Sequence, residues 1–330
     1  MRMPIKMPGE LRRILREGVK TCRFVNLFLT SSCTCRCIMC NCWREKKAFI
    51  EKTVFQEAID TLEGLGFYNY GLTGGEPLLH PQYFEFVKYI KKRGLYANSP
   101  TNGTLLTEKN VKKLKESGID SVSVSIDSLN PNIADKVRSH TGQLAKALNG
   151  LRLLRKNRIT HSALIILAKH NIHDYAEVIK KLDEQYDTPS ILCFPDAGVG
   201  PLDEINFTKE DLIKVVEELM DLKRQGYRLM NTMEYLHELK RAYSNEKRHI
   251  PCYGGYYVIN VYLDGSVTPC FNKGPICNIK NLVDTRLQKV GCQLCLNQCF
   301  IEFSYISECL RRKKFFTVWR EWGPTMKLHF

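Results

Sequence analysis

From residue 23 onward the chain alternates short apolar runs with amphipathic stretches at a period of about 25 to 35 residues, and nothing else in it restricts the fold so sharply. The runs are RFVNLFLT, YNYGLTG, YANSPTN, SVSVSID, HSALIIL and SILCFP. Between them lie helical patterns such as TVFQEAIDTLEGL and PQYFEFVKYIKKRG, and a last one, TKEDLIKVVEELMDLKRQG, follows the sixth run. Thr107 and Thr208 stand where helices start, and Gly94, Gly118 and Gly226 where they stop. Such alternation requires a parallel sheet, either doubly wound or closed into a full or partial barrel. Past about residue 250 the pattern changes to YYVINVYLDGSVTPC, a β-hairpin around an Asp-Gly turn. The chain therefore divides into a basic N-terminal helix (1–22), an α/β body (23–245), a small cysteine-rich extension (246–309) and a basic amphipathic tail (310–330).

The N-terminal stretch MRMPIKMPGELRRILREG has no signal-peptide apolar run, and SALIILA and YYVINVYL are too short to span a bilayer. The expected location is cytoplasmic, where the 14 cysteines remain free thiols and dense spacing points to metal or redox chemistry. Five of them fall between Cys33 and Cys42. One triplet there, Cys33, Cys37 and Cys40, has the spacing C-x3-C-x2-C, in the loop after the first strand, where a parallel barrel opens its functional face. Three thiolates leave zinc one ligand short, and leave a 4Fe-4S cluster with one iron free for a small molecule. Cys35 and Cys42 offer the alternative, a four-thiolate zinc site.

Over residues 23 to about 300 the chain resembles the radical SAM enzymes. The triplet matches the family's cluster motif, and TGGEP (Thr73 to Pro77) its glycine-rich motif, one βα unit later. The resemblance implies a partial (β/α)6 TIM-like barrel whose cluster iron is chelated by S-adenosyl-L-methionine. It places Met39 beside the adenine, where the family has an aromatic residue, and Gly74, Gly75 and Glu76 against the methionine end. Asn102 in TNG, and Ser125 and Asp127 in SVSID, fall where the family contacts the methionine carboxylate and the ribose. Cys35 alternates with the ligands and is expected to face away from the cluster.

The extension resembles the SPASM and twitch domains, which carry auxiliary 4Fe-4S clusters. Cys252, Gly265 and Cys270 have the opening spacing, and CQLCLNQC adds Cys292, Cys295 and Cys299, with Cys309 ten residues on. The full SPASM set of spacings is incomplete, which favours one auxiliary cluster over two; a zinc ribbon is the alternative. Cys22 and Cys277 are read as bystanders.

By resemblance, an electron from a flavodoxin or ferredoxin enters the first cluster, S-adenosylmethionine is cleaved, and the resulting 5'-deoxyadenosyl radical abstracts hydrogen from an unactivated carbon. The sixth strand ends in ILCFPDAG, which offers Cys193 as a hydrogen donor and Asp196 as a proton acceptor, against a plain reading of buried filler and turn cap. The net charge of +14 is concentrated at the ends: residues 1–47 hold eleven Lys/Arg against three acids, and residues 309–330 six against one. Leu11, Ile14, Leu15 and Val19, and Phe315, Val318, Trp319 and Trp322, fall at helical spacing there. Such helices cap their own domain or lie on an anionic membrane surface. Three function classes follow: radical modification of a peptide or protein, the same chemistry on a membrane lipid, and a non-enzymatic zinc or iron-sulfur protein that binds nucleic acid. The first cysteine motif begins too early for a separate leader-peptide-binding domain to precede it within this sequence.

Overall fold

The structure, a computed structural model, describes residues 23–194, 207–283, 287–292 and 296–312. Asp196, Cys295, Cys22 and the two amphipathic end segments lie outside the described residues. Six strands are parallel: β1 Arg23–Thr30, β2 Phe67–Gly74, β3 Tyr96–Thr101, β4 Ser121–Ser125, β5 Thr160–Ile166 and β6 Ser190–Cys193. The helices are α1 Lys52–Gly64, α2 Tyr83–Lys92, α3 Glu108–Ser117, α4 Pro131–Arg138, α5 Gln143–Lys156, α6 Tyr175–Tyr186, α7 Lys209–Arg224, α8 Met233–Tyr243 and α9 Gln298–Arg311. The fold is the expected α/β partial barrel, with its sheet open between the two outer strands. The capping signals hold: Thr107 and Thr208 accept hydrogen bonds from the amides of Asn110 (3.3 Å) and Asp211 (3.1 Å), and Gly118 ends α3 in the left-handed region. No described helix is long and apolar enough to cross a membrane.

Strand periodicity separates two faces. Val25, Leu27, Leu29, Tyr70 and Leu72 are fully buried, and the Tyr70 hydroxyl reaches the Ile59 carbonyl of α1 at 3.5 Å, which marks this as the helix-covered side. The opposite face is the barrel interior, and its lower part is polar and uncharged. Asn26 donates to Asn260 (2.9 Å), Asn98 to Asn69 (2.6 Å), and the Ser123 and Ser162 hydroxyls meet at 2.9 Å. Each buried amide or hydroxyl is thus satisfied by a neighbouring strand.

The predicted hairpin is present as β7 Val258–Val261 and β8 Ser266–Thr268, with Gly265 at φ +81° in the turn and β9 Cys277–Asn278 beyond. It does not stand apart from the body: β7 runs parallel to β1, from Phe24 opposite Val258 to Leu27 opposite Val261. Sheet order is therefore β6-β5-β4-β3-β2-β1-β7-β8-β9. Helix α9 then returns to the barrel. Phe303 stacks on Phe24 (4.7 Å between rings), Phe300 meets Phe271 edge-on at 5.6 Å, and the Ser304 hydroxyl accepts from the Tyr253 amide at 2.8 Å.

Glu302 of α9 is enclosed, with one oxygen accepting from the Thr232 amide (2.6 Å) and the other from the Gln298 amide group. Burial pushes its carboxyl up from 4.5 to about 7. Below about pH 4.5 both folded and unfolded forms hold the proton and nothing is lost. Between 4.5 and 7 only the folded form holds it, so stability falls as pH rises, by roughly 3 kcal/mol in all. In urea titrations at about pH 5 and about pH 8 the protein is expected to be weaker at the higher pH, and Glu302→Gln to remove about half of that difference, since the buried Glu76 is raised to about 7 as well. An unchanged pH slope in the variant refutes the assignment.

Candidate active site

The cysteine loop is closed at its root. Thr30 and Ser31 hydroxyls donate to the carbonyls of Ala48 and Lys46 (both 2.7 Å), and the Ala48 amide returns a bond to the Ser31 hydroxyl at 2.9 Å. The end of β2 then presses on this neck: the Gly75 amide donates to the Thr30 carbonyl (2.7 Å) and the Glu76 amide to the Ser32 carbonyl (2.8 Å). A Cβ on Gly74, at φ +127°, would stand 2.2 Å from the Thr30 carbonyl oxygen, and one on Gly75 2.2 Å from that of Ser32. The two glycines of TGGEP thus admit the cysteine loop's own backbone. Gly75→Ala is expected to cost on the order of 3 kcal/mol and to lower iron uptake, read from thermal melts and iron content. A variant that melts with the parent protein would show that the contact relaxes freely.

Each sulfur of the triplet accepts a hydrogen bond. The Cys35 amide and the Asn102 side chain donate to Cys33 (3.4 and 3.6 Å), Arg138 to Cys37 (3.7 Å) and the Cys42 amide to Cys40 (3.4 Å). Burial pushes the Cys33 thiol up to about 11 and raises Cys40. Cys37 is shifted the other way, by a hydrogen bond from the Cys35 thiol and by the Arg138 charge. Cys35 does not turn away as its alternation suggests: it is fully buried against Cys37, in one cluster with Met39 and Val137. Cys42 is half-buried, and burial followed by the nearby Cys40 lifts it to about 12. Among the described residues no three His, Cys, Asp or Glu side chains converge as a single metal ion requires. A cluster spreads its irons over a cube, so its thiolates stand further apart than ligands of one ion. Amide and guanidinium donors at each sulfur suit cluster-bound thiolates.

Beside the triplet the strand ends of β2, β3 and β4 are tied together. Glu76 is wholly buried; its carboxylate accepts from the Leu78 amide (3.3 Å), the Thr101 hydroxyl (2.8 Å) and the Asn102 amide (2.8 Å), and burial raises it to about 7. Those three donors leave about one of its four lone-pair positions open. Gln143, which sequence reasoning missed, donates to the carbonyls of Asn102 (2.6 Å) and Ser125 (3.1 Å). Asp127 is bound on both oxygens, by the Ile166 amide at 3.0 Å and by Arg138 Nε at 2.6 Å.

Arg138 is the larger omission. Its side chain is 8% exposed, yet it closes α4 with the ordinary signature of a basic last turn. Nε holds Asp127, Nη1 reaches the Cys37 sulfur, and Nη2 is buried with no hydrogen-bond partner. Burial opposes its charge, but Asp127 and Cys37 outweigh it and hold the guanidinium protonated. An unsatisfied cationic donor beside a sulfur is a vacancy for an anionic group.

The extension's cysteines fall into separate groups. Cys252 is raised by burial and then by the nearby thiols of Cys292 and Cys270, and its sulfur accepts from the Gly254 amide at 3.4 Å. A Cβ on Gly254 would meet the Pro269 carbonyl at 2.8 Å, so this loop too depends on a glycine for close approach. Cys299 faces elsewhere, toward Glu302 and Cys193 at the end of β6; burial dominates both thiols, raising Cys299 to about 12. Cys309 is buried ten residues further along α9, about 15 Å by helical rise, so Cys299 and Cys309 cannot serve one cluster together.

Residues 27–182 match the Radical SAM superfamily. A tungsten-containing aldehyde ferredoxin oxidoreductase cofactor-modifying protein of Pyrococcus furiosus is 30% identical over 262 residues, 76% of this chain and 71% of that protein. An AdoMet-dependent heme synthase of Methanosarcina barkeri is 31% identical over 165 residues, 49% of this chain. The chain spans about half the length, 47%, of that relative and of its Nitratidesulfovibrio vulgaris counterpart. In fold it resembles anSMEcpe with bound AdoMet (TM-score 0.60, 17% identity, 93% of this chain and 99% of that one). It also resembles Streptococcus suis SuiB bound to S-adenosylmethionine (0.65, 13%, 84% and 69%). The superfamily's cofactors are a 4Fe-4S cluster and S-adenosylmethionine, and the sulfur donors and open cationic vacancy above suit that pair. The chain belongs to the radical SAM superfamily of enzymes.

Proposed function

We propose that this radical SAM enzyme modifies a peptide or protein, holding its cluster on Cys33, Cys37 and Cys40. The observation that carries the site is the buried, unpartnered Nη2 of Arg138, one guanidinium away from the Cys37 sulfur. When bound, the cluster and S-adenosylmethionine supply a 5'-deoxyadenosyl radical that removes hydrogen from a substrate carbon. Arg138 and Ser125 would hold the methionine carboxylate, Glu76 would offer its open lone pair to the ammonium, and Asn102 would orient Cys33. Met39 packs one wall of the adenine site. Asp127 positions Arg138 and keeps it charged. Cys252, Cys270 and Cys292, with Cys295 as the fourth thiol the sequence offers, would hold one auxiliary 4Fe-4S cluster. Cys193, at the end of β6 with Cys299 beside it, is the hydrogen donor in this reading.

Two relatives and neighbours support a peptide substrate: a PqqA peptide cyclase of Ruegeria pomeroyi, 25% identical over 155 residues, and SuiB, solved with its precursor peptide. The barrel interior also favours it. Its polar side chains, Asn26, Asn69, Asn98, Ser123 and Ser162, are uncharged, and the described inner-face strand positions carry no lysine or arginine to meet a polycarboxylate such as a porphyrin. The test is anaerobic reconstitution followed by measurement of 5'-deoxyadenosine with dithionite, alone and with a mixed peptide pool or Fe-coproporphyrin III added. Stimulation by peptides is expected. No cleavage by a reduced cluster refutes the site, and stimulation by the porphyrin alone refutes the substrate.

A further inference from the structure

The cysteine loop turns a basic face to solvent. Arg36, Arg44, Lys46 and Lys47 are exposed, with Glu45 the single acid among them. Among the described residues none of the four cations is in an ion pair. Trp43 lies between this face and the cluster ligands: its indole N–H donates to the Cys37 carbonyl at 3.1 Å, while Arg44 and Arg36 stand over its ring at 4.9 and 6.0 Å. The root of the loop holds the patch in place, since Ser31 pins the backbone of Lys46 and Ala48. Four unpaired cations crowded on one short loop repel one another, an arrangement that an acidic partner relieves.

We propose that this face, Arg36, Arg44, Lys46 and Lys47 around Trp43, is the docking surface for an acidic one-electron carrier protein. The proposal rests on the radical SAM reading, in which each cleavage consumes one electron from outside. The carrier loses one electron, the cluster gains one, and no atom is transferred. Steering by the patch raises the encounter rate, and salt weakens it.

Flavodoxin hydroquinone and dithionite, which needs no docking site, are compared as reductants of the reconstituted full chain. The triple variant R44E/K46E/K47E is expected to lower flavodoxin-driven 5'-deoxyadenosine formation by about tenfold or more at low salt, and to leave the dithionite-driven rate within about twofold. Independently of turnover, carbodiimide cross-linking of oxidised flavodoxin to the protein is expected to map to Lys46 and Lys47 and to fade with added salt. An unchanged flavodoxin rate, cross-links elsewhere, or equal loss with both reductants overturns the proposal. No cleavage by the parent protein with dithionite instead overturns the underlying reading.

Discussion

Alanine at Cys37 is expected to abolish S-adenosylmethionine cleavage, with 5'-deoxyadenosine falling to background and the visible iron-sulfur absorption after reconstitution reduced to the share of the auxiliary cluster, while alanine at Cys35 is expected to keep both. The contrast is sharp because both thiols are buried, and each lies against the other. A structural account that treated them as equivalent core residues predicts similar damage from each. The site instead gives Cys37 the Arg138 donor and leaves Cys35 packing on Met39 and Val137. Replacing Cys35 removes a small side chain from that wall and one hydrogen bond to Cys37, a cost of about 1–2 kcal/mol. Loss of the first cluster's share of the absorption in Cys35→Ala, or the parent's full absorption in Cys37→Ala, would falsify the ligand assignment.

Leucine at Arg138 is the second large effect, and it acts on stability and on ligand binding together. The Asp127 carboxylate has no exposure, so removing its ion-pair partner leaves a buried charge, at a cost of about 3–5 kcal/mol. In denaturant unfolding of the protein without cofactors, Arg138→Leu is expected to lose most of that amount. The double variant with Asp127→Leu is expected to recover a large part, because both charges leave together. S-adenosylmethionine binding, read by equilibrium dialysis of the reconstituted protein, is expected to fail in both variants, since each lacks Nη2. A double variant no more stable than the single one shows that the ion pair is not the source of the loss.

Much of the architecture was legible because it is local. Strand runs, the Thr107 and Thr208 caps and the Asp-Gly hairpin are each written in a few consecutive residues, and the triplet with TGGEP places two neighbouring strand ends in one site. What was not legible is nonlocal. The partner of β7 is a strand 234 residues earlier, and no periodicity in either segment names the other. Arg138 looks like any helix-ending cation until the fold brings it to Cys37, 101 residues away. The glycines of TGGEP also clear the carbonyls of Thr30 and Ser32, a close approach that neither segment's sequence announces. Cys299 sits in a cysteine-dense stretch that suggests shared ligation, yet its helix turns it toward Cys193.

The pairing of β7 with β1 also sets an order of assembly. The strand that ends in the cysteine loop has its second neighbour only after residue 258 has been synthesised, and contacts of such long sequence separation form late. Until then β1 is an edge strand, with Phe24 to Leu27 offering unpaired amides and carbonyls to any other extended chain. Removing the extension to obtain a minimal barrel therefore exposes that edge, and the shortened protein is expected to aggregate.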